Sequence, residues 1–344
     1  MRVPIVEYPQ IVRQNLPQFE PIFRNKNQVK HFCEYVTGLI AGDKATIQAI
    51  NALFLNKNDQ SALNKFLTQA DWDETELNRR RVQFELERLH GRPVSASAGR
   101  LIIDDTLAHH TKCGMAGLAY LLDHSINRNV WAHDVITSYY LNRSDQFPVD
   151  FRLYLQFNRK YEEAQLHKQA AKLGSQSDLP AYRQYLASLL SYHFRQQSYR
   201  PKAELAAELV QQAVHWELPF QVVLFDSWFL RWTLVSVLEQ LHLDWVAGCP
   251  KNRKVLVQGR WCQLQEYIRT IPSDAYRPYR MGVDVGKQYR WVRTSIGPSP
   301  KCCPCKTCSD RRCASSLLTK TKSTFPKHPT STRPIAKIGN RNAF

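Results

Sequence analysis

The sequence of 344 residues lacks any apolar run approaching the roughly 18 residues that a membrane-spanning helix needs. Its first residues include an acid and have no long apolar core, which excludes a secretory signal. There is also no disulfide framework, since four of the nine cysteines, Cys33, Cys113, Cys249 and Cys262, are scattered singly. These absences predict a cytoplasmic protein with reduced thiols and no membrane partner.

Acidic residues are scarce. The chain has 30 Asp and Glu against 47 Lys and Arg, a formal charge of +17, which indicates a polyanionic partner such as nucleic acid. The excess is uneven, because residues 297–344 hold ten Lys and Arg and the single acid Asp310. The preceding part therefore carries only +8 and is moderately basic.

Two apolar runs stop abruptly at acids. They are Leu-Ile-Ile-Asp-Asp-Thr at residues 101–106 and Val-Val-Leu-Phe-Asp-Ser at residues 222–227. Each run predicts a strand buried on both faces, and reactive sites in open α/β sheets lie outside the carboxyl ends of strands. Asp226 and either Asp104 or Asp105 are therefore expected to meet at one sheet edge, where their oxygens would suit Mg²⁺.

These acids also have a structural interpretation, because Asp is a favoured cap for a helix that follows a strand. Both interpretations remain open. A phosphatase of the aspartyl-phosphate type is disfavoured, since it needs Asp-x-Asp and the chain has Thr106 two positions after Asp104. His109, His110 and Cys113 match no standard zinc spacing, so no zinc site is predicted there.

Apolar periodicity divides the chain into a helical part and a strand-rich part. Helices are predicted over residues 28–40, 45–54, 58–66 and 73–89 in the first part, and over 161–172, 181–194, 202–217 and 228–240 in the second. Further strands are predicted over 130–140, 151–157 and 244–249, with a hairpin over 280–295. Strand with Asp, two strands, helices, strand with Asp, helix and strand is the order of an RNase H-like fold.

Two basic clusters are candidates for DNA binding. Arg79, Arg80 and Arg81 lie on the last helix of the first part, where a solvated helix face is the alternative interpretation. A second cluster follows the strand at 244–249 in a basic turn. Its members are Lys251, Arg253 and Lys254.

The tail from residue 297 is rich in Ser, Thr, Pro and Lys without periodicity, which predicts disorder. Four of its cysteines, Cys302, Cys305, Cys308 and Cys313, have Cys-x-x-Cys spacings that could bind zinc. A usual zinc module separates its pairs by a loop of about a dozen residues, so zinc is disfavoured here. An accidental tail produced by a frame change or truncation is the preferred interpretation.

Several segments together resemble the DDE transposases of bacterial insertion sequences. They are Leu-Ile-Ile-Asp-Asp-Thr, Phe-Pro-Val-Asp-Phe-Arg-Leu-Tyr, Val-Leu-Phe-Asp-Ser-Trp-Phe and Trp-Val-Ala-Gly-Cys-Pro-Lys-Asn-Arg, with support from Tyr-Val-Thr-Gly-Leu-Ile and Phe-Leu-Thr-Gln-Ala-Asp-Trp-Asp nearer the N-terminus. The resemblance covers roughly residues 20–295. It implies an RNase H-like mixed α/β sheet with flanking helices over 99–296, an all-α DNA-binding domain over 1–98, and an irregular tail over 297–344.

The resemblance also implies an activity. Family members cut double-stranded DNA at transposon ends and join the freed 3′-hydroxyl to a target, with two Mg²⁺ ions held by two Asp and one Glu. Asp104 corresponds best to the first Asp, with Asp105 the alternative, and Asp226 corresponds to the second. A homodimer in a transposition complex at the nucleoid is expected.

The third acid is where the chain departs from this family. Glu266 is the last glutamate and precedes the predicted hairpin, and only Asp274, Asp284 and Asp310 follow it. The family's Tyr and Arg near that Glu are absent as well. The sequence therefore predicts a transposase that does not cleave DNA by itself. The alternative is a non-catalytic, truncated transposase that occupies transposon ends and represses transposition.

Overall fold

The computed structural model describes residues 4–55, 60–90, 99–111, 115–173, 179–250, 252–272, 277–278, 287–296 and 314–321. They belong to two compact units, Met1–Cys249 and Pro250–Phe344. The boundary between the two units follows Cys249, whereas the sequence analysis placed domain boundaries at residues 98 and 296. The division into three domains stays a prediction. Among the described helices, none combines the length and apolar character that crossing a membrane requires.

The first unit begins with helices, as the periodicity predicted. They are α1 (Gln10–Phe19), α2 (Lys26–Ala41), α3 (Ile47–Asn51), α4 (Gln60–Thr68) and α5 (Glu74–His90). Polar side chains start two of them: Asn25 accepts a hydrogen bond from the Gln28 N–H at 3.0 Å, and Asp73 accepts one from the Glu76 N–H at 2.9 Å. Their apolar faces meet in a core formed by Phe23, Ile50, Phe54, Leu63 and Phe66.

Gly38 allows α2 and α3 to approach closely. A Cβ atom at Gly38 would lie 2.3 Å from Cγ2 of Ile50, which is completely buried. No side chain fits at this distance, so the absence of a Cβ is what lets the two helices pack here.

A mixed sheet follows in the same unit. Its strands and the intervening helices are β1 (Arg100–His110), β2 (Ala119–Asp123), β3 (Arg128–Leu141), β4 (Gln146–Tyr154), α6 (Arg159–Lys172), α7 (Leu179–Ser198), α8 (Lys202–His215), β5 (Val222–Phe225), α9 (Trp232–Gln240) and β6 (Asp244–Ala247). The strand order is β2-β3-β1-β5-β6, with β4 also paired to β3. The β1–β5 and β5–β6 pairs are parallel and the pairs involving β3 are antiparallel.

This arrangement confirms the predicted α/β fold with an RNase H-like mixed sheet and flanking helices. From Ala132 onward, residues of β3 alternate between buried and half-buried positions, and α8 packs on the buried face of β3 and β4. Inward-facing Ile136, Tyr140 and Val149 are completely buried, as is Leu209 on the helix. A second core of the first unit thus lies between this face of the sheet and α8.

Two local predictions need correction. The first strand does not leave the sheet at Asp104 but continues to His110, because β3 pairs with it along its whole length. The helix predicted from residue 228 begins only at Trp232. A short 3-10 turn, Ser227–Phe229, comes first, and the ψ of 74° at Leu230 is not helical, so it separates the turn from α9.

The second unit contains an antiparallel sheet. Its elements are β7 (Lys254–Val257), β8 (Arg260–Gln263), α10 (Leu264–Thr270), β9 (Arg277–Pro278), β10 (Lys287–Ile296) and β11 (Ala314–Thr321). The order is β11-β10-β7-β8, with β9 also paired to β10. The first half of the predicted hairpin lies outside the described residues. Within the tail, the eight residues of β11 are a strand that the sequence pattern did not predict.

Candidate active site

Two parallel strands place Asp104 and Asp226 next to each other. β1 and β5 pair in register up to Ile103 and Phe225, and the two acids are the residues that follow. Neighbouring strands lie about 4.8 Å apart, and the charge of Asp226 acts on the carboxyl group of Asp104. The structure thus brings Asp226 together with one of its two predicted partners.

Asp105 lies on the opposite face of the sheet, because side chains alternate along a strand. Its carboxylate forms an ion pair with Nζ of Lys202, the first residue of α8. The same Nζ lies 2.7 Å from Oδ2 of Asp134, whose side chain is only 7% exposed. Asp104, and not Asp105, is therefore the acid beside Asp226. That the pair binds metal remains a prediction.

The two faces of the sheet differ in charge compensation. Burial raises the pKa of Asp104, and the negative charges of Asp105 and Asp226 raise it further. Among the described residues, neither Asp104 nor Asp226 forms an ion pair. On the other face, burial alone would lower the pKa of Lys202, but its hydrogen bonds to Asp105 and Asp134 raise it. The Asp104–Asp226 side is thus the one where an added cation would be favoured.

Hydrogen bonds from the backbone orient both carboxylates. Oδ1 of Asp104 accepts the N–H of Asp105 at 2.9 Å, and Oδ1 of Asp226 accepts the N–H of Ser227 at the start of the 3-10 turn. Gly248 follows β6 and lies against this turn. A Cβ at Gly248 would be 3.3 Å from Oδ1 of Asp226 and 3.1 Å from the Ser227 nitrogen. Glycine at this position therefore leaves room for the Asp226 carboxylate.

The donor set matches Mg²⁺ in type, because carboxylate oxygens are its preferred protein ligands. However, the site has few protein ligands. Within the residues that the structure describes, no group of three or more His, Cys, Asp and Glu side chains could hold a metal ion. Glu266 caps its own helix in the second unit, where its Oε2 accepts the Gln263 N–H at 3.1 Å. Asp274, Asp284 and Asp310 lie outside the described residues.

The predicted DNA-binding arginines make contacts inside the chain. Arg79 and Arg80 both bind Glu76, with Nε to carboxylate oxygen distances of 2.6 and 2.7 Å. Arg81 donates to the Val149 carbonyl of β4 at 2.9 Å, and burial lowers the pKa of its guanidinium. Arg81 therefore attaches α5 to the sheet, and DNA contact by any of the three stays a prediction.

Two other predicted site residues belong to the second unit. Arg253 and Lys254 are part of the second unit, where Lys254 is exposed at the start of β7. Lys251 lies outside the described residues. So do the four tail cysteines, Cys302, Cys305, Cys308 and Cys313, which leaves the zinc interpretation untested.

The two consecutive histidines do not share a ligand site. Nε2 of His109 lies 2.8 Å from Oδ2 of Asp123, whereas Nε2 of His110 lies 2.9 Å from Nδ1 of His133. Nε2 of His133 donates to the Ala116 carbonyl at 2.8 Å, so in the neutral ring Nδ1 accepts from His110. Both nitrogens of His133 are then occupied by hydrogen bonds within the protein.

Sequence reasoning missed Lys202 and Asp134. Lys202 lies 97 residues from Asp105, so no local pattern reveals the contact. One signal was present, since a lysine in the first turn of a helix is unfavourable next to the helix dipole. A cation at that position is better explained by acidic partners elsewhere in the fold.

The comparisons with known proteins identify the family of the chain. A family model described as DDE superfamily endonuclease matches residues 18–269. A search of curated proteins finds no match. Among solved structures, the chain is similar to the Drosophila P element transposase strand transfer complex, with 10% identity and a TM-score of 0.27, over 75% of this chain and 55% of that one. The chain thus spans about half the length of that protein, and the assignment rests on the family model. Because that model matches well over half of its residues, the chain belongs to the DDE superfamily endonucleases.

Proposed function

We propose that this chain is a transposase-type endonuclease that binds double-stranded DNA at transposon ends and whose metal site is incomplete. The observation that carries the proposal is the placement of Asp104 and Asp226 after the last paired residues of two adjacent parallel strands. Carboxylates at such a strand edge suit the family's phosphoryl-transfer chemistry.

The residues have separable roles in this proposal. Asp104 and Asp226 would hold Mg²⁺, which when bound supplies positive charge for the attacking and leaving oxygens of a DNA phosphate. The N–H groups of Asp105 and Ser227 hold the two carboxylates in place before any ligand arrives. Asp105 itself takes no part in holding metal, because Lys202 engages it on the other face.

Cleavage is proposed to be weak because the described residues provide only two carboxylates at this site. Two ions about 4 Å apart need more ligands than two Asp side chains provide, and Glu266 is engaged in capping α10. DNA binding does not depend on this count, since it rests mostly on phosphate contacts from basic residues. Binding without efficient cutting would make the chain an occupant of transposon ends, alone or as a homodimer.

The test uses the purified full-length protein and end-labelled duplexes taken from DNA on either side of its coding region. Binding is followed by gel shift over a series of salt concentrations, and cleavage by denaturing gels with Mg²⁺ or Mn²⁺. We expect salt-sensitive binding and little or no cleavage. Failure to bind any duplex more tightly than a random one of equal length would contradict recognition of transposon ends.

Two variants sharpen the result. Robust cleavage that Asp226→Asn abolishes would show that another residue completes the site and that the proposed weakness is wrong. For the arginine cluster, Arg79→Ala with Arg80→Ala should weaken binding and reduce its salt slope by about 1 to 2 if both contact phosphates. An unchanged slope would restrict these arginines to their contacts with Glu76.

A further inference from the structure

We propose that Lys202 is a positioning residue for the Asp104–Asp226 pair. Its ammonium holds Asp105 on the opposite face of the sheet and thereby fixes the strand segment that presents Asp104. The inference rests on the proposed function in one respect, namely that Asp104 and Asp226 bind a divalent cation.

Lys202 joins three parts of the first unit at one point. Its Nζ contacts the carboxylates of Asp105 on β1 and Asp134 on β3, at 2.7 Å for Asp134. It also lies 5.1 Å from the centre of the Tyr154 ring on β4, a distance that permits a cation–π contact. The first turn of α8 is thus tied to β1, which carries Asp104, and to β3 and β4.

The two carboxylates need this ammonium. Asp105 and Asp134 are diagonal neighbours on adjacent strands, because Asp134 pairs with Leu107. Asp134 is buried, and its Oδ1 has no hydrogen-bond partner among the described residues. Without Lys202, two like charges would face each other in a poorly hydrated place, which is strongly unfavourable. The protein could relieve this repulsion by protonating one of the two carboxylates or by moving the strand.

Such a movement would reach Asp104 directly. The N–H of Asp105 donates to Oδ1 of Asp104 at 2.9 Å, so the residue held by Lys202 also orients the candidate metal ligand. A displacement of Asp105 therefore shifts both the backbone and the hydrogen bond that orient the Asp104 carboxylate. Small losses of orientation matter in a site with so few ligands.

Simple electrostatics predicts the opposite result, which makes the inference testable. The charge of Lys202 repels any cation at Asp104, so removing that charge without structural change would tighten cation binding. Removing a positioning group would weaken it. The sign of the change in affinity therefore separates the two effects.

The experiment measures binding of Tb³⁺, a hard cation that prefers oxygen ligands, to the full-length protein. Its luminescence is sensitised by tryptophan, and Trp228 lies two residues after Asp226. The variants are Lys202→Met, Asp226→Asn and the matched control Lys168→Met, which removes an exposed charge on α6. We expect Lys202→Met to weaken Tb³⁺ binding at least tenfold while its circular dichroism stays unchanged, and Lys168→Met to bind like the unaltered protein.

The possible failures are distinguishable. If Asp226→Asn binds Tb³⁺ like the unaltered protein, the proposed metal site is wrong and the inference fails with it. If Asp226→Asn loses binding but Lys202→Met binds equally well or more tightly, the positioning role alone is overturned. Should Lys202→Met not fold, Lys202→Gln, which keeps a hydrogen-bond donor without the charge, replaces it under the same criteria. None of these measurements depends on whether the protein cleaves DNA.

Discussion

Asp104 and Asp226 are neighbours because the parallel pairing of β1 with β5 ends at Ile103 and Phe225, and each acid is the next residue of its chain segment. Asp105, only one residue away from Asp104, faces the other side and binds Lys202. Residues that are adjacent in sequence are thus separated in role by the alternation of side chains along β1.

This separation predicts different effects of two similar substitutions. Asp104→Asn should reduce Mn²⁺ affinity at least tenfold, since it removes one of the two anionic ligands. Asp105→Asn should reduce it much less, because Asn can still accept a hydrogen bond from Lys202. Isothermal titration calorimetry of both variants checks this. Equal losses, or a larger loss for Asp105→Asn, would mean that the wrong acid has been assigned to the site.

Arg81 is predicted to stabilise the fold through its contact with β4. Arg81→Ala should lower the free energy of unfolding by about 1 to 3 kcal/mol, because the Val149 carbonyl loses a charged donor. Arg88→Ala is the matched control on the same helix. Its guanidinium pairs with Glu85 on the surface, so its loss should cost less than about 1 kcal/mol. Urea denaturation measures the free energy of unfolding of both variants. Similar losses for Arg81→Ala and Arg88→Ala would count against a role of Arg81 in attaching α5 to β4.

How far the sequence predicts this structure depends on how local each feature is. The strands leading to Asp104 and Asp226 were predictable because their apolar runs are continuous, and the order of elements then indicated the fold. The continuation of β1 beyond Asp104 was not predictable, since residues Asp105 to His110 are held by pairing with β3. β2 was missed for a related reason, because among the described strands it pairs only with the first part of β3.

The arginine cluster illustrates a second limit. Three consecutive arginines suggest a surface for phosphates, and nothing in the sequence indicates that Arg81 reaches the Val149 carbonyl, 68 residues away. Glu76 could have been anticipated as a partner for Arg79 and Arg80, because it lies three and four residues before them on a helix. Local ion pairs can be predicted from spacing, and contacts across the fold cannot.

Glu76 should make stability depend on pH. The hydrogen bond from Arg79, with that from Arg80, lowers its pKa from 4.5 to about 2. A lowered acid pKa stabilises the folded state above pH 4.5, and that stabilisation is lost as the pH falls towards 2. Glu76→Gln should therefore cost about 1 kcal/mol at pH 7, a modest value because the pair is partly exposed.

Urea denaturation at several pH values tests this. The difference between Glu76→Gln and the unaltered protein should shrink below pH 4.5 and vanish near pH 2. Glu74→Gln in the same helical turn serves as control, because Glu74 makes no ion pair within the part of the chain that the structure describes. A difference that persists unchanged at pH 2 would exclude the ion pair as its cause.

Gly38 offers a test of packing in the helical region. Gly38→Ala should destabilise the protein by about 1 to 3 kcal/mol although alanine favours helices, because the new Cβ would overlap Cγ2 of Ile50. Ile50→Ala should itself cost about 2 to 5 kcal/mol by leaving a cavity. Since each change relieves the other, thermal denaturation of the double variant should show a loss smaller than the sum. Additive losses would mean that the two side chains do not compete for space.

The extension of β1 past Asp104 gives the two candidate ligands unequal stiffness. Asp104 lies within β1, and the residues both before and after it pair with β3, so its Cα has little freedom. Asp226 lies beyond the end of β5 and is held by the turn that follows, with Gly248, the residue after β6, close to its carboxylate. The backbone at Asp104 is therefore rigid and the backbone at Asp226 is more flexible, so any adjustment to a bound ligand would be made at Asp226.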